Sequence, residues 1–219
     1  LSSFYFDIRK DCLYCDSLES NIRKSTTTVL DILFNHLLRW FAPILCFTTE
    51  EVKRSRFPDL NESVHEMQFL ETNTEWYNED LFLKWEKIRL IRKVVTGAIE
   101  LERKEKRIGS SLEANPKIFI SNSEYIKLFQ NIDLPEIFIT SQAEIIFEKA
   151  PKDSFSIEEI KDVAVVCGIA QGNKCNRSWK VLPEVGTDRE YPDLSLRDAA
   201  VMLSLIHISE PTRRAISSY

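Results

Sequence analysis

The chain has 219 residues, 29% of them charged and 43% hydrophobic, with a formal net charge of −5. Such proportions describe a globular chain long enough for one large or two small domains. They exclude an indiscriminate polyanion binder, so any nucleic-acid contact must come from a local basic patch, and no stretch approaches the ~20 uncharged apolar residues that span a bilayer.

The first segment, FYFDIRKDCLYCD (residues 4–16), places Cys12 and Cys15 in a C-x-x-C spacing. No second such pair follows and no βαβ pattern surrounds it. Two buried thiols among aromatic and apolar neighbours are therefore expected, in preference to a redox or zinc pair. The chain holds five cysteines, an odd number without secretory context, which reads as reduced thiols. A helix is expected over residues 18–41. Pro43 lacks an N–H and clashes with a preceding turn, so it marks the end, and Thr48-x-x-Glu51 reads as the capping box of a second helix over 49–54. A loop with Pro58 and Asn61 follows. His36, His65 and His207 have no nucleophile and orienting carboxylate in a recognisable motif. The five glycines form no GxGxxG or Walker phosphate loop.

A long helix is expected from about residue 79 to 106. Leu81, Trp85, Ile88, Ile91, Val95, Ala98 and Ile99 recur at steps of three and four and share one face, leaving Arg89, Lys93, Glu100 and Lys104 on the other. Between Lys84 and Arg107 nine basic residues stand against four acidic ones. A positive helix face of this kind can track a phosphate backbone and release counterions. The competing reading is a solvated face laced with pairs such as Glu100–Lys104, and the helical angle of Arg92 lies near the apolar edge, where it would pack or pair internally. Asn115-Pro116 reads as a break, because a residue before proline avoids helical geometry. Short apolar runs follow at 117–120, 136–140, 144–148 and 162–167, with a helix at 123–131, suggesting a small α+β subdomain. The tail carries GNKCNRSWKVLPEVG (residues 172–186) and YPDLSLRD. Residues 203–213, LSLIHISEPTR, interrupt that pattern and match an in-frame translation of a common transposase sequencing adapter. Residues 203–219 are accordingly expected to be non-native, the alternative being a short terminal helix.

In order and wording these blocks resemble isoleucyl-tRNA synthetase, a class I aminoacyl-tRNA synthetase, in the helical domain that grips the anticodon stem. The resemblance runs from Leu1 to about Met202. IGSSLEA (residues 108–114) combined with a KC-x-R-x-W element (residues 174–179) looks isoleucine-specific and bacterial, against valyl and leucyl relatives that share the bundle. The fold class implied is mainly α: a helical-bundle anticodon-binding domain over 1–115, a small α+β subdomain over 116–170 and a degenerate zinc-knuckle tail over 171–202. The function implied is the tRNA-binding, C-terminal part of an isoleucine–tRNA ligase. That parent enzyme forms isoleucyl-tRNA through an adenylate made from ATP with magnesium. It is expected to be cytoplasmic and monomeric, with isoleucine tRNA as partner and neither membrane nor DNA. The opening on Leu1, without Met and inside a motif-bearing segment, reads as a piece of a longer protein. The family's catalytic signatures, His-Ile-Gly-His and Lys-Met-Ser-Lys-Ser, are absent from these residues, so no catalytic residue is expected and the chain alone should be inactive.

The resemblance implies tRNA contacts from Arg89, Arg92 and Lys93 on the long helix and from Lys174, Arg177 and Trp179 in the tail. Trp stacks on unstacked bases and Arg pairs with phosphate or base edges; a core position for Trp179 is the competing reading. The family's four-cysteine zinc site would fall on Cys175, Ser178, Ser195 and Asp198. One cysteine with two serines and an aspartate is not a tetrahedral zinc site, so no metal is expected. From another class, the rival is a non-catalytic helical module that binds protein through the amphipathic long helix, which would then show an exposed apolar patch.

Overall fold

The computed structural model describes residues 2–204. After a π-helical turn at Ser2–Phe6 the helices are α1 (Asp7–Cys15), α2 (Asn21–Phe41), α3 (Cys46–Arg56), α4 (Glu79–Lys104), α5 (Ser123–Leu128) and α6 (Leu134–Phe138). Residues 196–204 form a further helix, α7. The strands are β1 (Ala114–Ile120), β2 (Glu144–Ile146), β3 (Phe155–Ile157), β4 (Ile160–Ile169), β5 (Asn173–Lys174) and β6 (Val181–Leu182). Two compact units result. One joins the described residues through Ser17 to those from Glu79 onward, and the other is Leu18–Asn78.

In the first unit a four-stranded sheet runs in the order β2-β1-β4-β3. β1 pairs antiparallel with β4 along its full length, from Ala114↔Ile169 to Ile120↔Val163, and parallel with β2 at Lys117–Phe119. Helix α4 packs one face against this sheet. Ile88, Ile91, Val94, Val95, Ala98 and Ile99 are buried in one cluster with Ile118 and Ile120 of β1, Val163 and Val165 of β4, and Phe138. Val94 joins the face read from the periodicity, whereas Leu81 lies outside it, exposed near the helix start. The boundary expected at residue 115 thus falls elsewhere. α4 belongs with the sheet because its apolar face is the sheet's cover, and the remaining helical segment, Leu18–Asn78, is a unit by itself.

Three further expectations are corrected. Asn115-Pro116 lies inside β1 and not at a break; the β2 partners begin only at Lys117, so Pro116 withholds no donor from that neighbour. The apolar run at 136–140 is helical: Pro135 occupies the first turn of α6, where its missing N–H costs nothing. The chain then reverses at Ile139 in the left-handed region (φ 57°). Strand β3, three residues long, has no counterpart among the apolar runs. The small hairpin β5–β6 closes the tail, and Gly172 precedes it at φ 125°. A Cβ there would stand 2.2 Å from the carbonyl carbon of Leu182. Gly172→Ala combines an unfavourable φ with a backbone clash, and each such strain costs ~1–3 kcal/mol. Limited proteolysis should then cut first within residues 171–195, with the rest of the chain intact; unchanged protection would contradict the clash.

In the Leu18–Asn78 unit, Ser20 caps α2 by accepting from the Arg23 amide. Thr48 and Glu51 do not form a capping box, because the helix already begins at Cys46 and both lie inside it. The Thr49 amide bonds back to the Leu45 carbonyl at 2.9 Å. The reciprocal box sits instead at Ser63 and Glu66, on a 3₁₀ turn. Two residues of α3 hold the loop that leads there. Lys53, fully buried, donates its ammonium protons to the carbonyls of Leu60 and Glu62. Glu50 accepts from the Val64 amide at 2.8 Å and from the Ser63 hydroxyl at 3.0 Å. The Val64 amide first, then Arg54, holds the Glu50 carboxyl down to about 2 from an ordinary 4.5. A carboxyl depressed by folding stabilises fully above its unfolded value and loses that contribution as pH falls through the folded one. Between pH 4.5 and 2, Glu50→Gln should therefore flatten the fall of thermal midpoint with pH. Parallel profiles for the two proteins would remove Glu50 as its source.

Candidate nucleic-acid interface

The solvent face of α4 opens a cavity of about 550 Å³ lined by Arg89, Arg92 and Lys93 together with Phe4, Leu90 and Thr96. These bases fall on one side because Ile88, Ile91 and Val95, at intervening helical steps, are committed to the core. Their states differ. Arg92 is partly buried, its Nε donates to the Ile137 carbonyl at 2.9 Å, and burial lowers its pKa. Lys93 is exposed and paired with Glu159 at 2.7 Å. Arg89 is exposed, and among the described residues it has no carboxylate partner; its guanidinium lies 5.4 Å from the centre of the Phe4 ring. Further along the helix the pair expected between Glu100 and Lys104 is replaced by Glu100–Arg103 at 2.7 Å.

The tail presents its residues on a turn between β5 and β6. The Cys175 amide donates to the Lys180 carbonyl at 2.8 Å, and the Trp179 amide to the Cys175 carbonyl at 2.9 Å. Closing so tight a turn puts Trp179 in the left-handed region, φ 62°, where a bulky residue is an outlier. Its ring is 62% exposed, which overturns the core reading. Lys174 Nζ lies 5.7 Å from the ring centre. Arg177 donates to the Tyr14 carbonyl at 3.2 Å. Trp179 and Arg177 line a second cavity, about 350 Å³, with Tyr14, Lys10 and Glu136.

Beneath the turn lies a buried polar cluster. The Cys175 thiol donates to Asp198 Oδ2 at 3.1 Å and accepts the Ser195 amide at 3.3 Å, while the Asp198 amide donates to Ser195 Oγ at 3.2 Å. Arg197 extends the cluster to α1, pairing with Asp198 at 3.2 Å, Asp11 at 2.6 Å and Asp16 at 3.4 Å; Lys180 also pairs with Asp11. Burial alone would lower the Arg197 pKa, but its hydrogen bond and charge attraction with Asp11, joined by the Asp198 charge, outweigh it and raise the value. Burial likewise opposes the Asp11 carboxylate, and Arg197 with Lys180 overcomes it, so the Asp11 pKa is lowered. These residues occupy the positions where the resemblance would put zinc, and they do not fit it. Only Cys175 and Asp198 could bind as anions, their side chains are bonded to each other, and Ser178 Oγ is buried without a partner among the described residues. No group of three or more His, Cys, Asp or Glu side chains among the described residues could hold a metal ion.

The structure therefore brings Arg89, Arg92 and Lys93 to one cavity and Lys174 to Trp179, with Arg177 beside the latter at a second cavity. Cys12 and Cys15 are buried, as their neighbours implied. Sequence reasoning missed Phe4 beneath Arg89 and treated Tyr14 as packing for the thiols, whereas Tyr14 is 76% exposed. The alternation of aromatic and charged residues in FYFDIRKDCLYCD was the available clue. Residues 205–219 of the suspected adapter segment lie outside the described residues.

The family described as "Anticodon-binding domain of tRNA ligase" matches residues 1–118. The chain belongs to that family. Over 205 residues, 94% of its length, it is 50% identical to an isoleucine–tRNA ligase of Agrobacterium fabrum and 49% identical to one of Bartonella henselae. A third such ligase, of Rhodopseudomonas palustris, is 48% identical over 206 residues. The alignment spans 21% of the first two relatives and 20% of the third. Among the described residues no helix is long and apolar enough to cross a membrane.

Proposed function

We propose that this chain is the tRNA-binding, C-terminal part of an isoleucine–tRNA ligase and that it reads the anticodon of isoleucine tRNA. The observation that carries the reading is Trp179, exposed on a strained turn with Lys174 over its ring and Arg177 beside it. An aromatic held out of the core between two cations suits an unstacked base with its flanking phosphates. Arg89 and Lys93 add phosphate contacts from α4, and Arg92, tied to Ile137, serves to hold the helix in place. Activation of isoleucine with ATP and magnesium belongs to the rest of a longer, monomeric, cytoplasmic enzyme, and this chain has no activity of its own. Its tail is closed by the Cys175–Asp198 hydrogen bond and the Arg197 ion pairs, without zinc.

A second reading has one observation in its favour. In the Leu18–Asn78 unit Trp40, Phe41, Ile44 and Phe47 are exposed, an apolar run of the kind that docks against protein. The tRNA experiments below decide between them.

Trp179→Ala should weaken cognate tRNA by ~1–3 kcal/mol, the worth of one stacking contact, and leave a tRNA with an altered anticodon nearly unchanged. Because the ring is exposed, the thermal midpoint should stay close to that of the parent. Equal loss for both tRNAs would refute anticodon reading, and tRNA binding absent from the parent chain would favour the protein-docking module. Metal analysis of the purified, tag-free chain should find no stoichiometric zinc, and a chelator should leave its melting unchanged. One equivalent of zinc, lost on Cys175→Ser, would overturn the metal-free tail.

A further inference from the structure

Phe4 stands in the first turn of the described chain, 75 residues before α4 begins, yet its ring lies against that helix. Its centroid is 6.0 Å from that of Trp85 in an edge-on arrangement, which anchors one side of the ring. The guanidinium of Arg89 lies 5.4 Å from the ring centre and that of Arg92 5.7 Å. Arg92 is held by a second contact, its bond to Ile137. Arg89 has no side-chain hydrogen bond or ion pair among the described residues, and its guanidinium lies over the Phe4 ring.

A free arginine on a helix samples many rotamers, and binding an anion must overcome the entropy lost when one is fixed. A cation over an aromatic face is attracted by the ring quadrupole without giving up its N–H donors, which lie in the guanidinium plane. The ring therefore limits where the guanidinium can go while leaving its fork open to a phosphate.

We infer that Phe4 is a positioning residue for phosphodiester binding: it holds the Arg89 guanidinium at the mouth of the α4 cavity, ready for a backbone phosphate of the bound RNA. This rests on the tRNA-binding reading above and adds to it a residue that touches no RNA. Phe4 changes how well Arg89 is prepared, not how many charges bind. Its loss must therefore lower affinity without altering the number of counterions released, whereas loss of Arg89 must alter both.

The experiment measures binding of an isoleucine tRNA transcript to the full 219-residue chain across a salt series, for Phe4→Leu, Phe4→Tyr, Arg89→Ala and the double variant Phe4→Leu/Arg89→Ala. Leucine keeps apolar bulk against Trp85 and removes the ring face; tyrosine keeps the face. Phe4→Leu should weaken binding about two- to fivefold, the worth of an exposed cation–π contact, with the salt slope of the parent. Phe4→Tyr should bind as the parent does. Arg89→Ala should lower the slope by about one unit, and adding Phe4→Leu to it should cost nothing more. In the parent the Arg89 side-chain protons should show upfield ring-current shifts that vanish in Phe4→Leu. If Phe4→Leu weakens binding equally with or without Arg89, or if Phe4→Tyr fails to restore it, the ring acts through the fold and the inference is overturned while the tRNA reading stands. If Arg89→Ala changes neither affinity nor slope, the phosphate role of α4 fails and the inference falls with it.

Discussion

Burial of one face of α4 against the β1–β4 pair is the constraint on which the first unit depends. Ile88, Ile91, Val94 and Val95 are fully buried, and each such side chain withdrawn from water contributes ~1.5–3 kcal/mol. A helix pinned from Ile88 to Ile99, about three turns, cannot rotate. Arg89 and Lys93 are thereby fixed on the solvent side, although neither helps to hold the helix. The polar face is free to carry charge because the apolar face does most of the anchoring. Arg92, at the border between the two, shares both fates: its stem and Nε are drawn inward to Ile137 while the residue still lines the outer cavity.

The tail solves a different problem. Residues 171–204 bury little apolar surface, a cluster of Cys175, Val185, Leu194 and Ala199 with a few neighbours. So small a core seldom suffices by itself, and small folds commonly recruit metals or disulfides for this reason. Here the additional restraint is polar. Asp198 is completely buried yet satisfied by the Cys175 thiol and by Arg197, and Arg197 is shared with Asp11 of α1 and with Asp16 just beyond its end. Removing one member of such a network leaves a buried charge unpaired, which costs more than the pair contributes when intact. Cohesion of the tail and its attachment to α1 therefore come from the same few side chains.

Much of this was legible in the sequence, and the failures have physical causes. A 26-residue helix repeats its period often enough that the buried face of α4 could be read within a residue or two. The run at 136–140 could not, because three consecutive apolar residues, Ile137 to Ile139, fit a strand or a buried helical turn equally well, and only Pro135 tipped the balance. The capping box at Thr48 was a plausible motif in the wrong place: chain reversal at residues 42–45 had already started the helix. At the site, sequence and resemblance named the bases and Trp179. Neither could tell that Trp179 stands outside the core, since exposure is decided by the backbone of a six-residue turn. Nor could they find Phe4, whose partnership with Arg89 spans 85 positions and depends on where α4 lands.

The placement of α1 has a consequence for synthesis. Its side chains find their partners far downstream: Arg9 pairs with Glu136, Asp11 with Lys180 and Arg197, at separations of 127, 169 and 186 residues. Translation proceeds at ~5–20 residues per second, so α1 leaves the ribosome on the order of ten seconds before its last partner exists. The whole of Leu18–Asn78, a compact unit of its own, emerges in that interval, able to fold while α1 waits. Within these residues α1 is thus made early and fastened late, and a nascent chain stalled before Arg197 would hold α1 without that partner.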